Sequence, residues 1–100
     1  MALFDFEWDP AKAKASLRKH RVSFELATTV FRDPRALTVF DEDHDEDEER
    51  WSTVGLSATG TVLVVIHTFQ EVGTEGTAKI RVISARRATS RESRMYEGDS

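Results

Sequence analysis

An α+β domain is the fold class this sequence predicts: a small antiparallel sheet, two helices from the N-terminal third packed against it, and a short C-terminal helix. Three observations predict it. Phe4, Phe6 and Trp8 alternate with Asp5, Glu7 and Asp9, the period of two that marks a strand with one buried face. Four strand-like runs then follow one another without a helix between them, which favours antiparallel neighbours with the helices gathered against the sheet. Finally, Thr89 and Glu92 have the T-x-x-E spacing of a capping box, in which each side chain satisfies a free amide at the other position.

Taken in order, the strand through Phe4–Trp8 runs into Asp9 and Pro10, an N-cap followed by proline at the first helical position, where its missing N–H costs nothing. The helix predicted over Pro10 to His20 is basic along much of its length and has a thin apolar face of Ala11, Ala13, Ala15 and Leu17. Ser23 caps a second helix, in which Phe24, Ala27, Val30 and Phe31 recur at helical spacing and Glu25 lies at the positive end of the dipole. Asp33 and Pro34 end it, because the residue before proline disfavours helical geometry. Strands are predicted over Leu37–Asp41 and Arg50–Leu56, a turn over Ser57–Gly60, and a central strand over Thr61–Phe69. That last run is almost continuously apolar and β-branched, the pattern of burial on both faces. Gln70–Thr77 is predicted as a flexible turn and Lys79–Ala85 as the last strand. A helix from Thr89 to about Glu97 closes the chain, with Gly98 as its C′ residue.

Composition narrows the class. One hundred residues with 39% hydrophobic content suit one compact domain. The absence of cysteine excludes a disulfide scaffold and a thiolate zinc site, and fits a reducing cytoplasm. MALFDFEWDP does not read as a secretory signal, having acidic residues where basic ones belong. The longest apolar run, VLVVI, falls far short of the roughly 20 residues of a spanning helix, so a soluble chain with no membrane partner is expected.

The formal net charge of −4 hides an uneven distribution. The segment DEDHDEDEE, Asp41 to Glu49, holds eight of the 18 acidic residues; the remainder balances 14 basic against 10 acidic, or +4. Between Lys79 and Tyr96 six basic residues stand against Glu92 alone. The acidic block imitates a calcium loop through Asp41, Asp43 and Asp45, then departs from it: Glu46 stands where glycine is needed and Ser52 where the bidentate Glu belongs. A solvated loop that serves solubility or partner binding is the expectation, with no metal and no cofactor. Arg81, Arg86, Arg87, Arg91 and Arg94 form a cluster suited to phosphate, because guanidinium is permanently charged and can grip two oxygens at once. Tyr96 adds a ring and a hydroxyl to the same region. His67 lies on the strand face of Leu63 and Val65, either as a buried, bonded histidine or as a base at a cleft edge. His20 closes a basic helix, where the dipole favours its charge.

FEWDPAKAKASLRKHRVSFELATTVFRDP, EERW, VVIHTF and IRVISARRATSRESRMYE together resemble the BrnT family, the toxin half of a bacterial type II toxin–antitoxin system. The resemblance runs from Phe6 to Glu97. Its most specific pieces are FEWD with KH-x-VSFE, the ERW opening of a strand, and ISAR followed by a basic helix ending in Tyr-Glu. It implies a single toxin domain over residues 1–100 with a RelE-like fold, acting as a metal-independent endoribonuclease that halts translation. It also implies a cognate DNA-binding antitoxin of BrnA type that covers the toxin, as a 2:2 heterotetramer on operator DNA. His20, Arg50, His67, Arg81, Arg86 and Tyr96 occupy matching motif positions. In the mechanism expected from this, Arg50, Arg81 and Arg86 stabilise charge on the scissile phosphate during attack by the neighbouring 2′-hydroxyl, and Tyr96 or His67 moves protons. Lys19, His20, Arg87, Arg91 and Arg94 are expected along the RNA. One departure is Arg21, which stands where the family usually has glycine after KH, so a reshaped turn or an added RNA contact is expected there. The alternative is a non-catalytic module whose arginine patch docks RNA or an acidic protein.

Overall fold

The structure, a computed structural model, describes residues 3–41, 49–72 and 76–98. The acidic block between 42 and 48 lies outside them. The elements are β1 (Leu3–Trp8), α1 (Pro10–His20), α2 (Phe24–Thr28), continuing into a 3₁₀ turn (Thr29–Arg32), β2 (Leu37–Phe40), β3 (Trp51–Leu56), β4 (Val62–His67), β5 (Gln70–Val72), β6 (Thr77–Arg87) and α3 (Ser90–Tyr96). Each helix start has the cap its sequence offers. Asp9 accepts from the Ala11 amide at 2.9 Å and Ser23 from the Leu26 amide at 3.0 Å. At α3, Thr89 Oγ1 accepts from the Glu92 amide at 3.1 Å while Glu92 accepts from the Thr89 amide at 2.8 Å.

The sheet is mixed rather than antiparallel throughout. Its order is β1-β6-β4-β3-β2, and β1 runs parallel to β6, with Phe4 opposite Ala78, Phe6 opposite Ile80 and Trp8 opposite Val82. Alternation in a sequence reveals a strand but not the direction of a partner some seventy residues away; the parallel pairing follows from α1 and α2 carrying the chain away before the remaining strands form. Thr77–Lys79 also pair with β5 on the edge opposite β1, so Gln70–Val72, expected as turn, extends the β4–β6 hairpin. Beyond Trp8 that first edge of β6 is covered by α1, where the buried Ser16 hydroxyl donates to the Ala85 carbonyl at 3.1 Å. This bond satisfies a strand acceptor that β1 is too short to reach.

The N-terminal helices cover one face. Val22, Phe24, Ala27 and Val30 pack on Leu63 and Val65 of β4 and on Val82 and Ala85 of β6, with Trp8 edge-on to Phe24 at 5.9 Å. Central β4 is buried on both faces, Val64 included, as its apolar run requires. Phe31 ties the N-terminal strand to the sheet: its ring lies 5.9 Å from Phe4, 5.4 Å from Phe6 and 4.9 Å from His67. Strand β6 contains a bulge. Val82 pairs with His67 and Ser84 with Ile66, leaving Ile83 as the extra residue. Simple alternation from Ile80 would carry Arg86 onto the core face; the extra residue returns it to the outer face, which it shares with Lys79 and Arg81.

Two backbone sites set local stability. Gly55 lies against the 3₁₀ turn, and a Cβ there would stand 3.0 Å from Ala36 Cβ, 3.2 Å from Val30 Cβ and 3.3 Å from the Val30 carbonyl. Arg21 holds the left-handed conformation itself, with φ of 61° and its amide on the Leu17 carbonyl at 2.9 Å. The turn after α1 therefore keeps the geometry that suits glycine. Gly55→Ala is expected to destabilise the protein by about 1–3 kcal/mol through overpacking. Arg21→Gly is expected to stabilise it by about 1 kcal/mol by relieving the left-handed strain. Urea denaturation of the two variants beside the parent chain measures both.

Candidate active site

His67 organises the sheet edge on which the cations gather. It is 1% exposed, and its Nδ1 lies 3.0 Å from the Thr68 carbonyl, which can only accept; Nδ1 therefore carries the proton. In the neutral ring Nε2 accepts from the Thr53 hydroxyl at 2.7 Å, and Thr53 in turn accepts from Thr38 at 2.8 Å. Burial pushes the His67 pKa down, against a smaller upward pull from the Thr68 bond. The Thr68 hydroxyl meets Arg81: it accepts from the Arg81 amide at 3.3 Å, while the Thr68 amide donates to the Arg81 carbonyl at 3.0 Å. A core histidine thus fixes the main chain at Arg81.

Arg81 lies on the sheet face opposite the N-terminal helices, directly across from Glu7 of β1. It contributes to a cleft of about 330 Å³ whose walls include Glu7, Glu49, Thr68, Gln70 and Lys79. Lys79 Nζ stands 3.6 Å from Glu7 Oε1, a pair exposed enough to be of small worth to stability. On its other side Arg81 borders a cavity of about 170 Å³ reached by Asp9 and Lys12 at the start of α1. The result is a surface where Lys12, Lys79 and Arg81 stand among carboxylates that remain open to solvent. Phosphate contact and proton transfer can both be served there.

The remaining arginine-cluster residues are divided by the fold. Arg86 forms a two-pronged ion pair with Glu92, Nη1 to Oε1 at 2.8 Å and Nη2 to Oε2 at 2.9 Å. That bond raises the Arg86 pKa and, with the Thr89 amide, brings Glu92 down to about 2. The pair fastens the end of β6 to the first turn of α3. Tyr96 is buried and donates to Asp33 Oδ2, which also accepts from the Leu56 amide at 2.8 Å. The Tyr96 bond is the largest influence lowering the Asp33 pKa, and it raises that of Tyr96. The Arg35 guanidinium stands 5.7 Å from the Tyr96 ring centre. Arg87, Arg91 and Arg94 are exposed; Lys19 is exposed and His20 half-buried at the far end of α1. Half-buried Arg50 follows Glu49 of the cleft and accepts from the Asp41 amide through its carbonyl at 2.9 Å.

Glu7, Glu49, Lys79 and Lys12 were not singled out by sequence reasoning. The outward position of Glu7 in the β1 alternation was a usable signal; its position opposite Arg81 was not, since it arises from the parallel β1–β6 pairing. Among the described residues no group of three or more His, Asp or Glu side chains could hold a metal ion, and no helix is long and apolar enough to cross a membrane.

The pKa directions fix how stability should vary with pH. A histidine held below its ordinary value of about 6.5 contributes stability at higher pH that is lost as pH falls through that value toward the folded-state one. Glu92, at about 2, contributes stability that is lost between its ordinary 4.5 and 2. Denaturation midpoints are therefore expected to fall from pH 7.5 to 5.5, and His67→Gln to flatten that interval; midpoints in the parent chain that rise over the same interval would contradict a buried neutral imidazole.

Comparison with known proteins finds a family model and a solved structure similar to this chain. A family model described as the ribonuclease toxin BrnT of type II toxin–antitoxin systems matches residues 8–92. The fold is similar to the 1.1 Å crystal structure of the Brucella abortus ribonuclease toxin BrnT, with a TM-score of 0.53 and 22% identity over 89% of this chain and 100% of that one. No curated protein matches.

Proposed function

The chain belongs to the BrnT family of ribonuclease toxins of type II toxin–antitoxin systems, and from that premise we propose that it cleaves RNA without a metal ion, at the Arg81 cleft, by in-line attack of the neighbouring 2′-hydroxyl. The observation that carries this reading is the placement of Arg81 and Lys79 beside Glu7 on the open face of the sheet. Cations fixed to a rigid strand before substrate arrives stabilise the charge that builds on the phosphate without having to reorganise, and this is usually the largest part of such catalysis. Glu7, exposed on its strand, takes the 2′-hydroxyl proton as the 2′-oxygen bonds to phosphorus and the bond from phosphorus to the 5′-oxygen breaks, leaving a 2′,3′-cyclic phosphate, while water in the open cleft protonates the departing 5′-oxygen. Such proton transfer is worth about 10² to 10⁴ in rate. Arg50 contributes charge from the cleft rim, and Lys19, His20, Arg87, Arg91 and Arg94 extend the basic path for the strand.

In this reading His67 acts by holding the Thr68–Arg81 junction, and Arg86 and Tyr96 act by anchoring α3. Their bonds to Thr68, Glu92 and Asp33 support those positioning roles. Cleavage of cellular RNA would arrest translation, and a cognate antitoxin of the system would neutralise the toxin, as the BrnA-type, operator-binding 2:2 assembly implied by the resemblance describes.

Cleavage of a short RNA is expected to survive EDTA and to fall at least a hundredfold in Arg81→Ala, with the circular dichroism spectrum unchanged. Glu7→Gln should lower kcat about a hundredfold, within the range of a lost proton acceptor, with the fold unchanged. Arg86→Ala, by contrast, should lower the denaturation midpoint first and activity only in proportion to unfolding. Loss of all cleavage on chelation, restored by one divalent ion, would overturn the metal-free route.

A further inference from the structure

A second cavity, of about 240 Å³, adjoins the cleft and has a different chemistry. Thr38, Trp51, His67 and Phe69 line it. Its polar wall atoms are already engaged: both His67 nitrogens are bonded, and the Thr38 hydroxyl is committed to Thr53. A ligand is offered ring faces and methyl groups. The Trp51 indole is braced edge-on by Phe40 at 5.1 Å, with 74° between the rings. Phe69, 52% exposed, lies where β4 breaks before β5, and it lines this cavity and the Arg81 cleft alike.

Topology explains how one ring can serve both. Trp51 and His67 pair across β3 and β4 and project from the helix-covered face; Arg81 projects from the other. Strand β3 begins at Trp51, so past His67 no described strand flanks β4 and β5 on that side. A strand of RNA can pass over this open edge, with a phosphate on one side and the attached base on the other.

We propose that the Trp51–Phe69 cavity is a nucleobase subsite, which stacks one base of the RNA strand whose phosphate is held at Arg81. This rests on the ribonuclease reading above. A planar apolar slot, with the His67 nitrogens and the Thr38 hydroxyl already engaged, suits an aromatic ring better than a peptide backbone. Its volume is below the roughly 300–1,000 Å³ of pockets that take larger ligands. Stacking without hydrogen-bond readout tolerates any base, so this subsite contributes affinity and register rather than sequence preference.

The test uses a short single-stranded oligoribonucleotide that is 2′-O-methylated, so that the attacking hydroxyl is blocked, and a matched series carrying one abasic position at each site in turn. Binding is read by anisotropy, and stacking by quenching of Trp51 fluorescence in a Trp8→Phe background. Phe69→Ala should weaken binding of the intact oligomer about tenfold or more, and Phe69→Tyr should restore it. One abasic position should bind parent and Phe69→Ala alike and abolish the quenching, whereas Arg81→Ala should weaken intact and abasic oligomers equally. Arg81-dependent binding with no effect of Phe69 and no quenching would overturn the base subsite and leave the ribonuclease reading standing. No binding by the parent chain would overturn both. Shielding of Trp51 by the cognate antitoxin but not by RNA would assign the cavity to the protein partner and overturn the proposal.

Discussion

A diverted carbonyl governs the sheet edge beside Arg81. The Thr68 carbonyl accepts from the imidazole of His67, and the Thr68 hydroxyl takes up the Arg81 amide that neighbours in the sheet would otherwise serve. The imidazole is itself held from behind by the Thr53 and Thr38 hydroxyls and by the edge of Phe31. Burial favours the neutral ring, and the neutral ring with its proton on Nδ1 is the form that fits this set of partners. Core packing, tautomer and the position of a surface arginine are thereby one arrangement, and none of the three can change alone.

The arginine-rich end shows how far charge counts fall short of electrostatics. Six cations follow one another between Lys79 and Tyr96, yet the fold commits Arg86 to Glu92 and leaves Arg81 beside Glu7 and Lys79. What each cation meets is therefore decided by local geometry, and the net charge of −4 says little about it.

Elements signalled by neighbours in sequence were legible: the caps at Asp9, Ser23 and Thr89, the alternating first strand, and the doubly buried β4. The resemblance to BrnT toxins was legible for the same reason, its motifs being short and contiguous. Less could be read where distant segments meet. The parallel β1–β6 pairing makes the sheet mixed and brings Glu7 to Arg81, and the short β5 lies in a polar stretch with glycines close by, where composition argues for a turn. Tyr96 read as a ring that stacks or packs; its bond to Asp33, 63 positions earlier, has no local trace.

Ile83 makes the last strand sensitive to register in a way the others are not. With one residue left out of the pairing, Val82 faces the core and Ser84 faces out, and everything beyond inherits that reversal. If Ile83 were drawn into the pairing opposite Ile66, Ser84 and Arg86 would turn into the helix-covered side and Ala85 outward, whereas removing Ile83 altogether would leave Val82, Ser84 and Ala85 on the faces they hold. IRVISARR thus carries one residue more than the strand it pairs with, and what is inside and what is outside beyond Val82 depends on that residue staying out of the ladder.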